Sequence, residues 1–478
     1  MRKNIIYSSF FRWLILMLLI IIAISELWFP ILRMSYVVEI NRNEVWNAYQ
    51  AIKVVSGQPL YILPSLTPVN YPPFSFYLIG NVVRFSQDPV FTGRVISLFS
   101  LLGLALLAGY LVFLVNNNIL DAFFVGTIII TFFCTLAPSY IAMNDPQFLA
   151  QFLMMAGLLS YWIFLQTKRK EHFFLMSFLI VLALFTKQNV LAVPLAISLH
   201  MYMFQRKFFR EFLGLILGDT IILTLGLQFH THGTYVSSLL LPRELSIAHF
   251  TSRTSVVFFL FILPLWPCLL WLAINAKNKN STLYLFYLYL FFSLVIGLFF
   301  SFGVGANINM YFDFIISLAL CIGIGLRMHA RNAGLLAVKK AVYGYFFLYL
   351  LFFVSVNIFG KDIKNLQFQQ NETAVNAAFL KKITGPALCD DLIVCYLAGK
   401  PFLFDPFLVS QMVVTHQIAE KTALAKITSR DFAIIEMKKT IPLDTDLDKV
   451  WRTTYQATVQ ANYHLSKTTQ DATFYIPN

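Results

Sequence analysis

"HFFLMSFLIVLALFTKQNVLAVPLAISLHMYMFQ", residues 172–205, holds two apolar runs, 172–186 and 190–205, that flank a polar tip of Thr186, Lys187, Gln188 and Asn189. Each run is slightly short for the roughly 20 residues a helix needs to cross a bilayer. A hairpin of two such helices sinks its tip into the membrane or into a cavity. A lysine there has no cytoplasmic anchoring role, so it is a functional candidate by default. The reading then depends on whether the rest of the chain is a membrane protein and whether other charges gather at the same level.

Composition answers the first point. Of 478 residues, 58% are hydrophobic, 16% aromatic and only 12% charged, about half the usual charged share of a soluble protein. Nine longer apolar segments read as spans: 11–33, 91–115, 119–140, 146–166, 211–229, 254–275, 281–301, 308–326 and 341–359. With the hairpin, the expectation is a polytopic α-helical membrane protein of about eleven spans. At the start, Arg2, Lys3 and Arg12 precede the run from Trp13 to Ile24, but Glu26, Trp28 and Pro30 follow it in place of a small-residue cleavage site. That segment is read as the first span and not as a signal peptide.

The net charge of +13 would suggest a nucleic-acid partner, but residues 1–360 carry 23 Lys/Arg against 11 Asp/Glu, and residues 361–478 carry 13 against 12. The surplus belongs to the membrane part, where the positive-inside rule accounts for it, and no nucleic acid is implied. Fifteen of those 23 cations fall on one side if the N-terminus is cytoplasmic. The chain is then a multi-pass protein of the cell inner (plasma) membrane, with its first long loop, residues 34–90, and its polar tail outside. The eight remaining cations, Arg33, Arg42, Lys53, Arg84, Arg94, Lys187, Arg243 and Arg253, lie on the outer half and need separate reasons.

Domain organisation follows from these shifts. Residues 1–359 form the transmembrane domain, its 34–90 loop carrying one or two interfacial helices between turn signals such as Gly57-Gln58-Pro59. Residues 360–478 read as a small extracytoplasmic α/β domain. In it "LCDDLIVCYL", "KPFLF" and "DFAIIEM" suggest strands, and "FLVSQMVVTHQIAEKTALAK" suggests helix. Cys389 and Cys395 would be about 20 Å apart along an extended strand, so a bridge between them requires an intervening turn. Cys134, Cys268 and Cys321 fall in apolar spans and read as packing. No internal repeat or low-complexity tract is evident.

Five stretches bring polar groups to the outer face: "NRNEVWNAYQ" with Glu44, the region of Tyr71 and Arg94, the turn at Asp145, the hairpin tip at Lys187, and "GVGANINMYFDF" with Asn307, Asn309 and Asp313. Each has a plainer explanation. Glu44 suits a solvated loop, Arg94 can snorkel, Asp145 before Pro146 can cap the next span, and Asp313 can pair with a neighbouring span. His230 and His232 in "FHTHGTY" could bind a metal, but they read better as lining the acceptor side of the 230–253 loop.

In this order the stretches resemble the GT-C glycosyltransferases, in particular the protein O-mannosyltransferase and lipid A aminoarabinose transferase branch. The matched positions are Asn43-Glu44 for an Asp-Glu motif, "YPPF" at Tyr71 to Phe74 for a Lys-Pro-Pro element, and "GRVISLF" with Arg94 for an Arg-Leu-Pro-Ser span start. Asn144-Asp145-Pro146 and "FTKQN" with Lys187 complete the set, and the resemblance covers about residues 10–330. Two departures matter: the acid expected at 43 is an amide, and the lysine expected at 71 is a tyrosine.

The resemblance implies a lipid donor, a polyprenyl-phosphate-linked sugar, and transfer to a lipid, glycan or protein acceptor hydroxyl, with inversion. Glu44, with Asp145 second, would take the acceptor's proton. Arg94 and Lys187, with Tyr71, would hold the departing phosphate. Trp46, Asn47, Tyr49, Gln188 and Asn309 would contact sugar or acceptor. No cofactor is certain; a divalent metal is possible in some members of the fold, but no ligand cluster with diagnostic spacing is present. The competing reading is a transporter or flippase, which calls for inverted repeats and charges through the thickness of the membrane.

Overall fold

The computed structural model describes residues 2–262, 281–325, 363–439 and 445–478. The expected span 341–359 and the domain boundary near 360 lie outside them, as does Cys268; the expected span 254–275 is described only to 262.

Local sequence sets the helix starts. The first span is α1 (Arg2–Arg33), followed by α2 (Arg42–Val55), where the Asn41 side chain accepts from the N–H of Asn43. After α3 (Phe74–Ser86), Asp88 accepts from Val90 and Phe91 and Pro89 occupies the first turn of α4 (Pro89–Asn116). This is the pairing of a side-chain cap with a residue that has no N–H to satisfy. Asn118 caps α5 (Ile119–Leu136) in the same way, and α6 (Gln147–Thr167) follows a ten-residue connection.

The short hairpin is present: α7 (Lys170–Leu184) has 15 residues and α8 (Ala192–Phe204) has 13. Then come α9 (Arg206–His230), α10 (Tyr235–Leu239), α11 (Ile247–Val257), α12 (Ser281–Phe300) and, after a 3-10 turn at Ile308–Tyr311, α13 (Phe312–Gly325). Among the described residues seven helices are long and apolar enough to cross a membrane. Within that bundle α13 is central: 94% of the segment Ile308–Gly325 is buried. At the other extreme α9 buries only 11% of its apolar window, so its sides face lipid.

α2 and α3 are two helices in the first loop, where one or two were expected. They pack on each other, and α2 also packs on α4.

The C-terminal part is α14 (Ile363–Lys381), β1 (Ala387–Cys389), α15 (Leu392–Leu397), α16 (Pro406–Val414), α17 (Glu420–Thr428), β2 (Ile434–Lys438), α18 (Asp446–Asn462), β3 (Tyr463–Thr468) and β4 (Ala472–Pro477). The sheet order is β1-β2-β4-β3. β1 and β2 run parallel with Leu388 beside Ile435, and β4 is antiparallel to both its neighbours. Three expectations change. "LCDDLIVCYL" is a three-residue strand and then a helix, "KPFLF" is not a strand, and the hairpin β3–β4 was not anticipated. The turn into α15 brings the Cα atoms of Cys389 and Cys395 to 6.0 Å, and the two form a disulfide.

Candidate functional site

The start of α2, the start of α4, the 137–146 connection and the α7–α8 tip meet at one end of the bundle. Glu44 is fully buried and Arg94 is 2% exposed. The Arg94 guanidinium grips the carboxylate with two bonds, Nε to Oε1 at 2.7 Å and Nη2 to Oε2 at 2.8 Å. Its other N–H groups reach the carbonyls of Met34, Tyr36 and Val38 at 2.7–2.9 Å. A guanidinium has five N–H donors, and all five are taken.

Glu44 is equally occupied, since Oε1 also accepts from the Asn144 N–H and Oε2 from that of Ile40, each at 3.2 Å. Neither residue therefore fits its expected task. Glu44 is not placed to take an acceptor's proton, and Arg94 has no donor to offer a phosphate. Together they clamp the segment after α1 to α2 and α4.

Asn144 extends the clamp. Its amide donates to the carbonyls of Glu44 at 2.9 Å and Pro89 at 3.4 Å. Asn47 donates to the Asn144 carbonyl at 2.8 Å. Gly93 makes the approach possible, because a Cβ there would lie 1.9 Å from Asn144 Oδ1. Arg33 secures the same connection through the carbonyls of Pro138, Ser139 and Ile141 at 2.7–3.4 Å.

What this clamp fixes is Asp145. Its Oδ1 accepts from the Gln147 N–H at 2.8 Å, as the capping reading anticipates, and from Lys187 Nζ at 2.9 Å. Both side chains of the pair are nearly sealed, at 3% and 2% exposure, and Asp145 Oδ2 is buried without a hydrogen-bond partner among the described residues. Lys187 also stands 4.7 Å from the centroid of the Tyr71 ring. It faces a cavity of about 510 Å³ whose walls include Asn43, Tyr71, Gln188, Arg243 and Asn309.

Of the expected contacts, Tyr71, Lys187, Gln188 and Asn309 line this cavity. Gln188 holds the Asn70 carbonyl at 2.8 Å. Asn309 bridges Tyr140 and Gln147 at 3.2 and 3.0 Å. Three others do not belong to it. Asn47 is buried in the clamp; Tyr49 stacks on Phe402 and donates to the Lys400 carbonyl at 3.1 Å, seating the C-terminal part. Trp46 packs edge-on against Tyr71 and Phe76.

Arg243, Asn43 and Tyr140 line the same walls and were not singled out as site residues. Arg243 stood only among the unexplained outer cations. His230 and His232 lie on a different cavity of about 570 Å³ with Tyr61 and Tyr77. Among the described residues no three His, Cys, Asp or Glu side chains gather to hold a metal ion.

No family model and no curated protein matches the sequence. Solved structures do match the fold. ArnT from Cupriavidus metallidurans bound to undecaprenyl phosphate superposes with a TM-score of 0.63 at 12% identity, covering 97% of both chains. Its apo form gives 0.64 at 12% identity and 98% of both. The oligosaccharyltransferase AglB of Archaeoglobus fulgidus, in complex with an inhibitory peptide and a dolichol-phosphate, gives 0.56 at 11% identity, over 99% of this chain and 75% of that one. The architecture is therefore the GT-C fold: a polytopic helical membrane domain followed by a small sheet domain.

Proposed function

We propose that the protein is a membrane glycosyltransferase that moves a sugar from a polyprenyl-phosphate donor to an acceptor hydroxyl on the extracytoplasmic side, inverting the anomeric carbon. The observation that carries this reading is the Lys187 ammonium, held by Asp145 at 2.9 Å and facing a cavity that Arg243 also lines. As the bond from the anomeric carbon to the phosphate oxygen breaks, negative charge grows on that oxygen. Cations fixed beforehand in a dry site stabilise it most. Asp145 holds Lys187 in place, and Tyr71 gives it an aromatic face. The two solved ArnT and AglB complexes with lipid phosphates add support to this substrate class.

The disulfide between Cys389 and Cys395 suits an oxidising compartment and so favours the C-terminal domain's being extracytoplasmic. The test is binding of undecaprenyl phosphate to purified protein, together with mass spectrometry of lipid-linked sugars and surface glycans with and without the gene. Lys187→Ala should weaken lipid-phosphate binding and cut transfer by about 10²–10³-fold, the usual cost of losing one donor to a developing anion. Unchanged binding and turnover in that variant would remove Lys187 from the chemistry.

A further inference from the structure

This inference rests on the glycosyl-transfer reading above. An attacking hydroxyl must give up its proton, and the acids marked by the sequence motifs are occupied. Glu44 is saturated, and Asp145 has Oδ1 engaged and Oδ2 sealed from solvent. Asn43 faces the cavity, but an amide does not take a proton at this strength of base.

A third carboxylate reaches the site from the C-terminal domain. A narrow cleft of about 30 Å³, room for one hydroxyl or water, shares Asn43, Asn70, Tyr71, Arg243 and Gly305 with the main cavity. Asp405, at the start of α16, is on its wall. Its Oδ1 accepts from Arg42 at 2.9 Å and from the N–H groups of Phe407 and Leu408 at 3.1 Å. Its own N–H donates to the Leu66 carbonyl at 2.7 Å, which ties the turn to the first loop. Oδ2 receives no hydrogen bond from the described residues.

Gly305 allows the domain to come this close. It sits at φ +79°, and a Cβ there would lie 2.3 Å from the Phe407 ring and 3.1 Å from Arg243 Nη1. The start of α16 is thus seated directly beside one of the two cavity cations.

We propose that Asp405 is the group that takes the acceptor's proton, so that the C-terminal domain completes the active site. In the step, the acceptor oxygen forms its bond to the anomeric carbon while its proton passes to Asp405 Oδ2. The bond from the anomeric carbon to the phosphate oxygen breaks, and its electron pair stays on the phosphate. The proton then moves through solvent to the departing phosphate monoester, whose second pKa near 6 makes it the final acceptor.

Asp405→Asn separates this role from a structural one. Asparagine keeps an Oδ1 for the cap and for Arg42; it loses the ability to take a proton and the charge paired with Arg42. In cells lacking the native gene, D405N should lower the glycan product by about 10²-fold or more, the scale of general-base catalysis, and let the lipid-linked sugar accumulate. The purified variant should remain folded and bind undecaprenyl phosphate as the wild type does, with any fall in thermal midpoint matched by Arg42→Gln, which breaks the same ion pair and keeps the carboxylate. Adding Asn43→Asp, which puts a carboxylate on the same cleft, should restore part of the product.

Product within a few-fold of wild type in D405N overturns the assignment. So does loss of undecaprenyl phosphate binding together with transfer, which would make Asp405 structural. If wild-type protein itself yields no gene-dependent glycan, the glycosyl-transfer reading falls and this one with it. If the wild type yields product and D405N does too, only this one falls.

Discussion

Arg94 and Lys187 are both buried cations paired with a carboxylate, yet only Lys187 has N–H groups left to donate. Removing one partner of a buried pair leaves an uncompensated charge and costs about 3–5 kcal/mol. Glu44→Gln should therefore act on folding: a lower thermal midpoint and a lower yield of inserted protein, with the folded fraction still binding undecaprenyl phosphate. A variant that folds like wild type but cannot turn over would return Glu44 to the chemistry. For the second pair, Asp145→Asn should destabilise more than Asp145→Asn combined with Lys187→Met, because the double variant leaves no lone charge behind. Thermal unfolding of the two, side by side, checks this. The sequence marked all four of these residues correctly as unusual, since a charge at that level of the membrane has to be explained. Who pairs with whom was not legible, because a motif names residue types and the pairing joins positions 50 residues apart in one case and 42 in the other. Arg243 was marked only as an outer cation in need of a reason, and no site role was legible because in the chain it is one loop arginine among several.

At the level of elements, Gly93 sets how closely α4 approaches the 137–146 connection. Gly93→Ala would push against Asn144, and overpacking of this kind costs about 1–3 kcal/mol. Transfer should fall together with the thermal midpoint, since Asp145 and with it Lys187 are displaced. An unaltered midpoint would mean that the connection relaxes freely. The short hairpin α7–α8 could be read directly, because span length is a local property. The stretch at 388–397 could not. Its unbroken apolar run Leu392–Leu397 fits a strand, and tertiary packing of α15 against α2 and α14 made most of it a helix. That switch is what brings the two cysteines together. Changing both to serine should cost the C-terminal domain about 2 kcal/mol on the loop-entropy estimate, read as a fall in its unfolding midpoint.

Across the whole molecule, the C-terminal domain is seated on the first loop by charges that titrate. Glu39, just before α2, has its carboxyl pushed well above the usual range by burial and by Asp391 beside it. Glu436 on β2 is raised likewise, by burial and then by Asp390 and Asp391. Lys438, paired with Asp391 at 2.9 Å, stays a cation throughout that range. A carboxyl whose pKa is raised on folding binds its proton more tightly in the folded state. Its contribution is complete below the ordinary carboxylate pKa of about 4.5 and is lost as pH rises from there through the raised value. The thermal midpoint should therefore decline as the pH rises above about 5, and Glu39→Gln should flatten the decline. A slope unchanged by that variant would exclude Glu39 as its source. The existence of this domain was plain from composition, whereas its seat was not, because the residues that make it come from both ends of the chain.

The hairpin α7–α8 has one more effect, on the membrane itself. Helices of 15 and 13 residues rise only about 20–22 Å, against a hydrocarbon layer of about 30 Å. Drawing the surrounding lipid thinner at that point would relieve this hydrophobic mismatch. The bilayer surface would then dip toward Lys187, so that a lipid-borne phosphate could reach the ammonium without leaving its own headgroup layer.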